Sequence, residues 1–97
     1  MKSVFITYNQ ALTERVEFIL DRLNIKGFTQ WVDVLGRGSE TGVPHLGTHT
    51  WPEINNAIIA IVEDDKVDIL LEKIKKLDLI NEEVGIRAFV WNVERSI

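Results

Sequence analysis

Apolar positions along this chain recur with a period of two in some stretches and near 3.6 in others, and each change of period marks an element. Residues 3–8, SVFITY, are β-branched and aromatic and are closed by the polar pair Asn9-Gln10, which predicts a strand. From Ala11 the spacing lengthens. Leu12, Val16, Ile19, Leu20 and Leu23 fall on one helical stripe, with Glu14, Arg15, Glu17, Asp21 and Arg22 mostly opposite. Asn9 is suited to cap this helix, which is expected to end near Asn24, with Gly27 supplying the turn that follows.

Residues 28–35, FTQWVDVL, alternate. Phe28, Gln30, Val32 and Val34 are expected on one face, and Thr29, Trp31, Asp33 and Leu35 on the other. Both faces carry apolar residues, as in a strand that packs on its own helices and also on another subunit. Residues 57–62, AIIAIV, form an unbroken apolar run that reads as a central strand buried on both faces. Glu63, Asp64 and Asp65 then suit a helix N-terminus, and Val67, Leu70, Leu71, Ile74 and Leu77 make the stripe of a second helix ending around residues 78–80. Residues 86–93, IRAFVWNV, read as the last strand. The order β-α-β-loop-β-α-β predicts an α+β, ferredoxin-like βαββαβ domain over residues 1–97, with a four-stranded antiparallel sheet and both helices on one face. Two helices cannot cover every aromatic, so Trp31, Phe89 and Trp91 are candidates for an open face that a closed homotrimer would bury.

Composition narrows the function classes. The 97 residues carry a formal charge of −4, with charges of both signs mixed, which argues against a nucleic-acid surface. The local basic group Lys73, Lys75 and Lys76 is interleaved with Glu72 and Asp78, as on a solvated helix face. Without cysteine there is no thiolate metal site, disulfide or cysteine nucleophile. No run is long enough to span a bilayer and the N-terminal apolar stretch is too short for a signal peptide, so a cytoplasmic protein without membrane insertion is expected. The sequence has no P-loop, no dinucleotide fingerprint and no nucleophile beside a histidine and an acid, so no enzyme is expected.

Residues 36–56, GRGSETGVPHLGTHTWPEINN, hold four of the six glycines, both prolines and both histidines, and a loop of this length in a small domain is ordinarily functional or disordered. Gly36, Arg37 and Gly38 offer a bare backbone and a guanidinium to an anion, and serve equally as a flexible strand exit. His45 and His49 would make a metal pair on a helix, with Glu40 or Glu53 as further ligands. Pro44 and Gly47 argue against that helix, so the two histidines read first as surface hydrogen-bonding groups and second as metal ligands. Trp51-Pro52 is suited to anchor the returning end.

In this order of elements, and in GFT followed by DVLGRG at residues 27–29 and 33–38, the whole chain resembles the PII-like signalling proteins. The resemblance implies a homotrimer with inward-facing sheets, ligand clefts between subunits, and a long T-loop that engages a transporter or an enzyme. It implies Gly36 and Gly38 as cleft residues. Arg37 is added on chemistry alone. The lysine-bearing, glycine-rich B-loop of the family is replaced by LDLINEEVGIR, where Gly85 and Arg87 stand in and Glu82 and Glu83 would repel phosphates. That departure counts against adenine-nucleotide binding. The expected function is a regulatory protein that takes a small ligand or metal ion and controls a target through its loop. The alternative is a trimeric CutA-like protein binding divalent metal, with His45 and His49 as ligands.

Overall fold

The computed structural model describes residues 1–37, 44–48, 53–80 and 85–97. Strand β1 (Lys2–Asn9) leads into a single 3-10 turn (Gln10–Leu12) and helix α1 (Thr13–Arg22); β2 (Phe28–Val34), β3 (Asn55–Val62), α2 (Asp64–Ile80) and β4 (Ile86–Asn92) follow. The four strands form one sheet in the order β2-β3-β1-β4, and every neighbouring pair is antiparallel. Each helix therefore links two strands that lie parallel with a third between them, which is the ferredoxin-like α+β arrangement predicted from the apolar spacing.

Alternation in the strands decides which side the helices cover. Val4, Ile6 and Tyr8 of β1 lie opposite Ala60, Ile58 and Asn56 of β3 and point to the helix side, where all are buried. Leu12, Val16 and Leu20 come down on them from the first helical segment, and Val67, Leu70, Ile74 and Leu77 from α2. These are the two stripes read from the sequence, with Ile19, Leu23 and Leu71 partly buried at their margins. Among the described residues no helix is long and apolar enough to cross a membrane.

The other face of the sheet is apolar and uncovered. Phe5 lies between Ile59 and Phe89, and its ring centroid is 6.5 Å from that of Trp91. Trp31, Ile61, Phe89 and Trp91 are each 45–54% exposed. The run 57–62 thus forms an inner strand as expected, but on the face away from the helices Ala57 is buried while Ile59 is only partly buried and Ile61 is exposed within one chain.

Three local expectations are corrected. Asn9 does cap, accepting from the Ala11 N–H at 2.9 Å, but it opens the 3-10 turn, and the α-helix proper starts at Thr13. The residue that turns the chain after α1 is Asn24 at φ 58°, and Gly27 is not in the left-handed region. The Asn24 N–H donates to Asp21 O at 3.0 Å and the Ile25 N–H to Leu20 O at 2.8 Å, so the helix closes by a Schellman motif with Ile25 and Leu20 both buried. In β2 the alternation runs only to Trp31. The register to β3 then slips by one residue before Val34, with Asp33 at φ 59° forming a bulge.

At the opposite end of the sheet the Met1 ammonium pairs with Asp64 at 2.9 Å, and this hydrogen bond and charge hold the exposed carboxyl below its ordinary range.

Candidate functional site

The bulge sets the course of the chain leaving β2. Asp33 donates its backbone N–H to Oδ1 of Asn56 at 3.2 Å, and its carboxylate accepts from the Gln10 amide, which also donates to Asn56 Oδ1 at 3.0 Å. Asn56 Nδ2 donates to Thr13 Oγ1 at 3.1 Å, and Thr13 Oγ1 donates to Gln10 O at 2.7 Å. Beneath lies Tyr8, whose hydroxyl accepts from Gln30 Nε2 at 2.8 Å. Burial raises the Tyr8 pKa, against the opposing effect of its hydrogen bonds to Gln30, Asn56 and Thr13. This connected polar layer ties β1, the 3-10 turn, β2 and β3 together below the point where the long connection begins.

Just above it, Gly36 and His45 pair reciprocally: Gly36 N–H donates to His45 O at 2.9 Å and His45 N–H to Gly36 O at 2.7 Å. The outgoing and returning limbs of the connection are thus pinned to each other at their root. Gly47 N–H donates to Glu53 O at 3.0 Å, with Gly47 at φ 64°, and Gln10 N–H donates to Ile54 O at 3.0 Å. The start of β4 joins the same place, because Gly85 O accepts from Asn9 N–H at 3.1 Å. Gly85 has φ 90°, a conformation that favours glycine, and a Cβ built there would stand 3.6 Å from Cε1 of His45.

Of the residues singled out from sequence, Gly36, His45 and Gly85 are brought together, and exposed Arg37 follows directly on Gly36. Arg87 is committed elsewhere: its guanidinium donates to Ile86 O at 2.8 Å and pairs with Asp78 of α2 at 3.5 Å. Gly38, Glu40, His49, Trp51, Pro52, Glu82 and Glu83 lie outside the described residues. His45 is buried, with Nδ1 facing Oδ1 of Asn55 and Nε2 3.1 Å from Glu53 Oε2. Among the described residues, no three histidine, aspartate or glutamate side chains converge as a metal site. His45 and Glu53 do meet, as the metal reading paired them, but as a hydrogen-bonded couple.

Sequence reasoning missed Asn9, Asp33 and Asn55 at this root. The run of polar residues at 55–56, directly before the apolar strand, was the available signal: amides at a strand end serve backbone and side-chain partners that apolar spacing does not register.

Residues 1–97 match the family described as nitrogen regulatory protein P-II. No curated protein matches the chain significantly. Among solved structures, CPII, a nitrogen regulatory PII-like protein from Thiomonas intermedia K12, bound to ADP and bicarbonate, superposes with a TM-score of 0.73 at 28% identity, covering 93% of this chain and 82% of that one. The same protein bound to ADP, AMP and bicarbonate gives 0.71 at 27% identity, again covering 93% and 82%. A PII-like protein from Thermus thermophilus shares the fold at a TM-score of 0.66 and 23% identity, over 95% of this chain and 84% of that one. With a βαββαβ sheet, a pinned root for the long connection after β2 and a match along its whole length, the chain belongs to the nitrogen regulatory protein P-II family.

Proposed function

We propose that this protein is a PII-like regulator, not an enzyme, that acts in the cytoplasm as a homotrimer and binds a small anionic ligand in a cleft between subunits. The observation that carries this reading is the meeting of Gly36, His45 and Gly85 at one sheet end, where the adjacent residues Asn9 and Gln10 donate to Gly85 O at the root of β4 and to Ile54 O on the returning limb of the long connection. A ligand seated there alters both segments at once. The ligand-facing residues are Gly36, Arg37, Gly38 and Gly85, with Arg87 available once it leaves Asp78. Residues 36–56 carry the response to a transporter or enzyme target.

The ligand class follows from chemistry and kinship. A glycine backbone beside an arginine suits an oxyanion, and CPII was solved with ADP, AMP and bicarbonate. Those complexes weigh against treating the missing B-loop as an exclusion of nucleotides. The divalent-metal alternative is less favoured, because both ring nitrogens of His45 already have partners. Calorimetric titration with ADP, AMP and bicarbonate, separately and combined, tests the reading. Binding of at least one is expected, weakened about tenfold or more in Arg37→Ala, the scale of a charge-assisted hydrogen bond. No heat and no thermal shift with any of the three at millimolar concentration would overturn it.

A further inference from the structure

Helices α1 and α2 cover one side of the sheet and leave a groove of about 460 Å³ between them, lined by Phe18 and Ile19 of α1 and by Leu77 and Ile80 of α2. Leu77 is buried and Ile19 partly buried, and they make the floor. Phe18 and Ile80 are 63% and 76% exposed and make the walls. Among the described residues, the rim sets Arg15, Lys73 and Lys76 against one carboxylate, Glu14, in a chain whose net charge is −4. Lys76 also meets Glu72 at 3.4 Å, an exposed i,i+4 pair too weak to withhold it from a partner. Two of the three lysines that read as a solvated helix face thus join an arginine of the other helix along one apolar groove. Beyond Phe18 the charge reverses, since Glu17 and Asp21 line the far flank of α1 with Lys26.

We propose that this groove receives an acidic amphipathic helix of the target protein, its apolar stripe on Phe18, Leu77 and Ile80 and its carboxylates towards Arg15, Lys73 and Lys76. Charge complementarity selects the partner, and the sign change across Phe18 sets its orientation, with acidic residues on the α2 side. Both walls are helices and offer no open sheet edge, so the occupant packs side chains at helical spacing and does not add a strand. A small ligand would meet only the ends of exposed side chains at the rim. A bilayer is too flat to reach Leu77 between the two walls. The groove also adjoins the candidate site. Glu14 follows Thr13, whose hydroxyl accepts from Asn56, and Asp78, next to Leu77, pairs with Arg87 at the start of β4. A target engaged by residues 36–56 therefore has the groove within reach. This deepens the regulatory reading and rests on it only in assigning the helix to a target.

The probe is a fluorescein-labelled synthetic helix with a leucine stripe flanked by glutamates, and its counterpart carries lysine in place of glutamate. Anisotropy with the full chain at low salt should give a Kd on the order of 10–100 μM for the acidic helix, weakening as salt is added. Amide signals of Phe18, Lys73, Lys76 and Ile80 should shift, while those of Phe89 and Trp91 stay. Phe18→Ser should weaken binding about tenfold or more. The paired change Lys73→Glu and Lys76→Glu should weaken it about tenfold and let the lysine counterpart bind instead. All three side chains are exposed, so both variants should keep the wild-type circular dichroism. No binding at millimolar protein, equal binding of the two helices to the wild type, unchanged affinity in either variant, or shifts confined to the sheet face would overturn the groove. Flotation with phosphatidylserine vesicles that is lost in the charge-reversed chain, with the acidic helix unbound, would also overturn it by placing a membrane there. Absence of heat with ADP, AMP and bicarbonate sinks the ligand reading instead, and the peptide result still decides the groove.

Discussion

Asn24 and Asp33 hold left-handed backbone conformations at φ 58° and 59°, which cost most residues about 1–2 kcal/mol. Asparagine and aspartate tolerate them better, and glycine at no steric cost. Replacing Asn24 by glycine should leave the Schellman closure intact and change stability by no more than about 0.5 kcal/mol in either direction. Asn24→Val should destabilise by about 1–2 kcal/mol in urea unfolding. Tyr8 makes a separate case. Its hydroxyl is wholly buried, and Tyr8→Phe leaves the Gln30 amide without that acceptor, a loss of about 1–3 kcal/mol. Because burial raises the folded-state pKa, the stability this linkage gives is fully present below the ordinary tyrosine value near pH 10. It is lost as pH rises through the folded value. An alkaline unfolding series should show that loss in the wild type and lack this component in Tyr8→Phe.

Among the elements, β2 departs furthest from its expected form. Its alternation is correct from Phe28 to Trp31 and fails at Asp33, because a bulge is specified by partners far along the chain. Gln10 and Asn56 supply those partners, at separations of 23 residues, and apolar spacing contains no sign of them. Asp33→Asn keeps an amide oxygen for Gln10 and tolerates the backbone, so near-wild-type stability is expected. Asp33→Val should cost about 1–3 kcal/mol in denaturant unfolding and loosen the Gly36–His45 pairing in hydrogen exchange. The helices are legible for the opposite reason. Val16 and Leu20, or Leu70, Ile74 and Leu77, are buried by the same spacing that reveals them. For the site, the glycines mark the right place, whereas His45 is legible as an unusual residue but not as a joint, since Glu53 and Asn55 become its partners only when the limb folds back. Residue preference alone puts the turn after α1 at Gly27, because it favours glycine over the nearby Asn24 that makes the turn.

At the scale of the molecule, the proposed homotrimer rests on the sheet's open face. Phe5, Trp31, Ile59, Ile61, Phe89 and Trp91 form an apolar surface too extensive for a chain of this length to leave in water without loss of stability. Sedimentation at micromolar concentration should give three times the chain mass. The paired change Phe89→Glu and Trp91→Glu, which places carboxylates on an edge strand of that face, should give monomer with a lower unfolding midpoint. A wild-type monomer would remove the inter-subunit cleft from the proposed function.

The same face also supplies an optical gauge. Trp31 and Trp91 are about half exposed in the single chain, so association should move their emission to shorter wavelength, and dilution should reverse it. With Trp51 replaced by phenylalanine, the fluorescence of the two remaining indoles would report subunit exchange in unlabelled protein and show whether an added ligand tightens the assembly or loosens it.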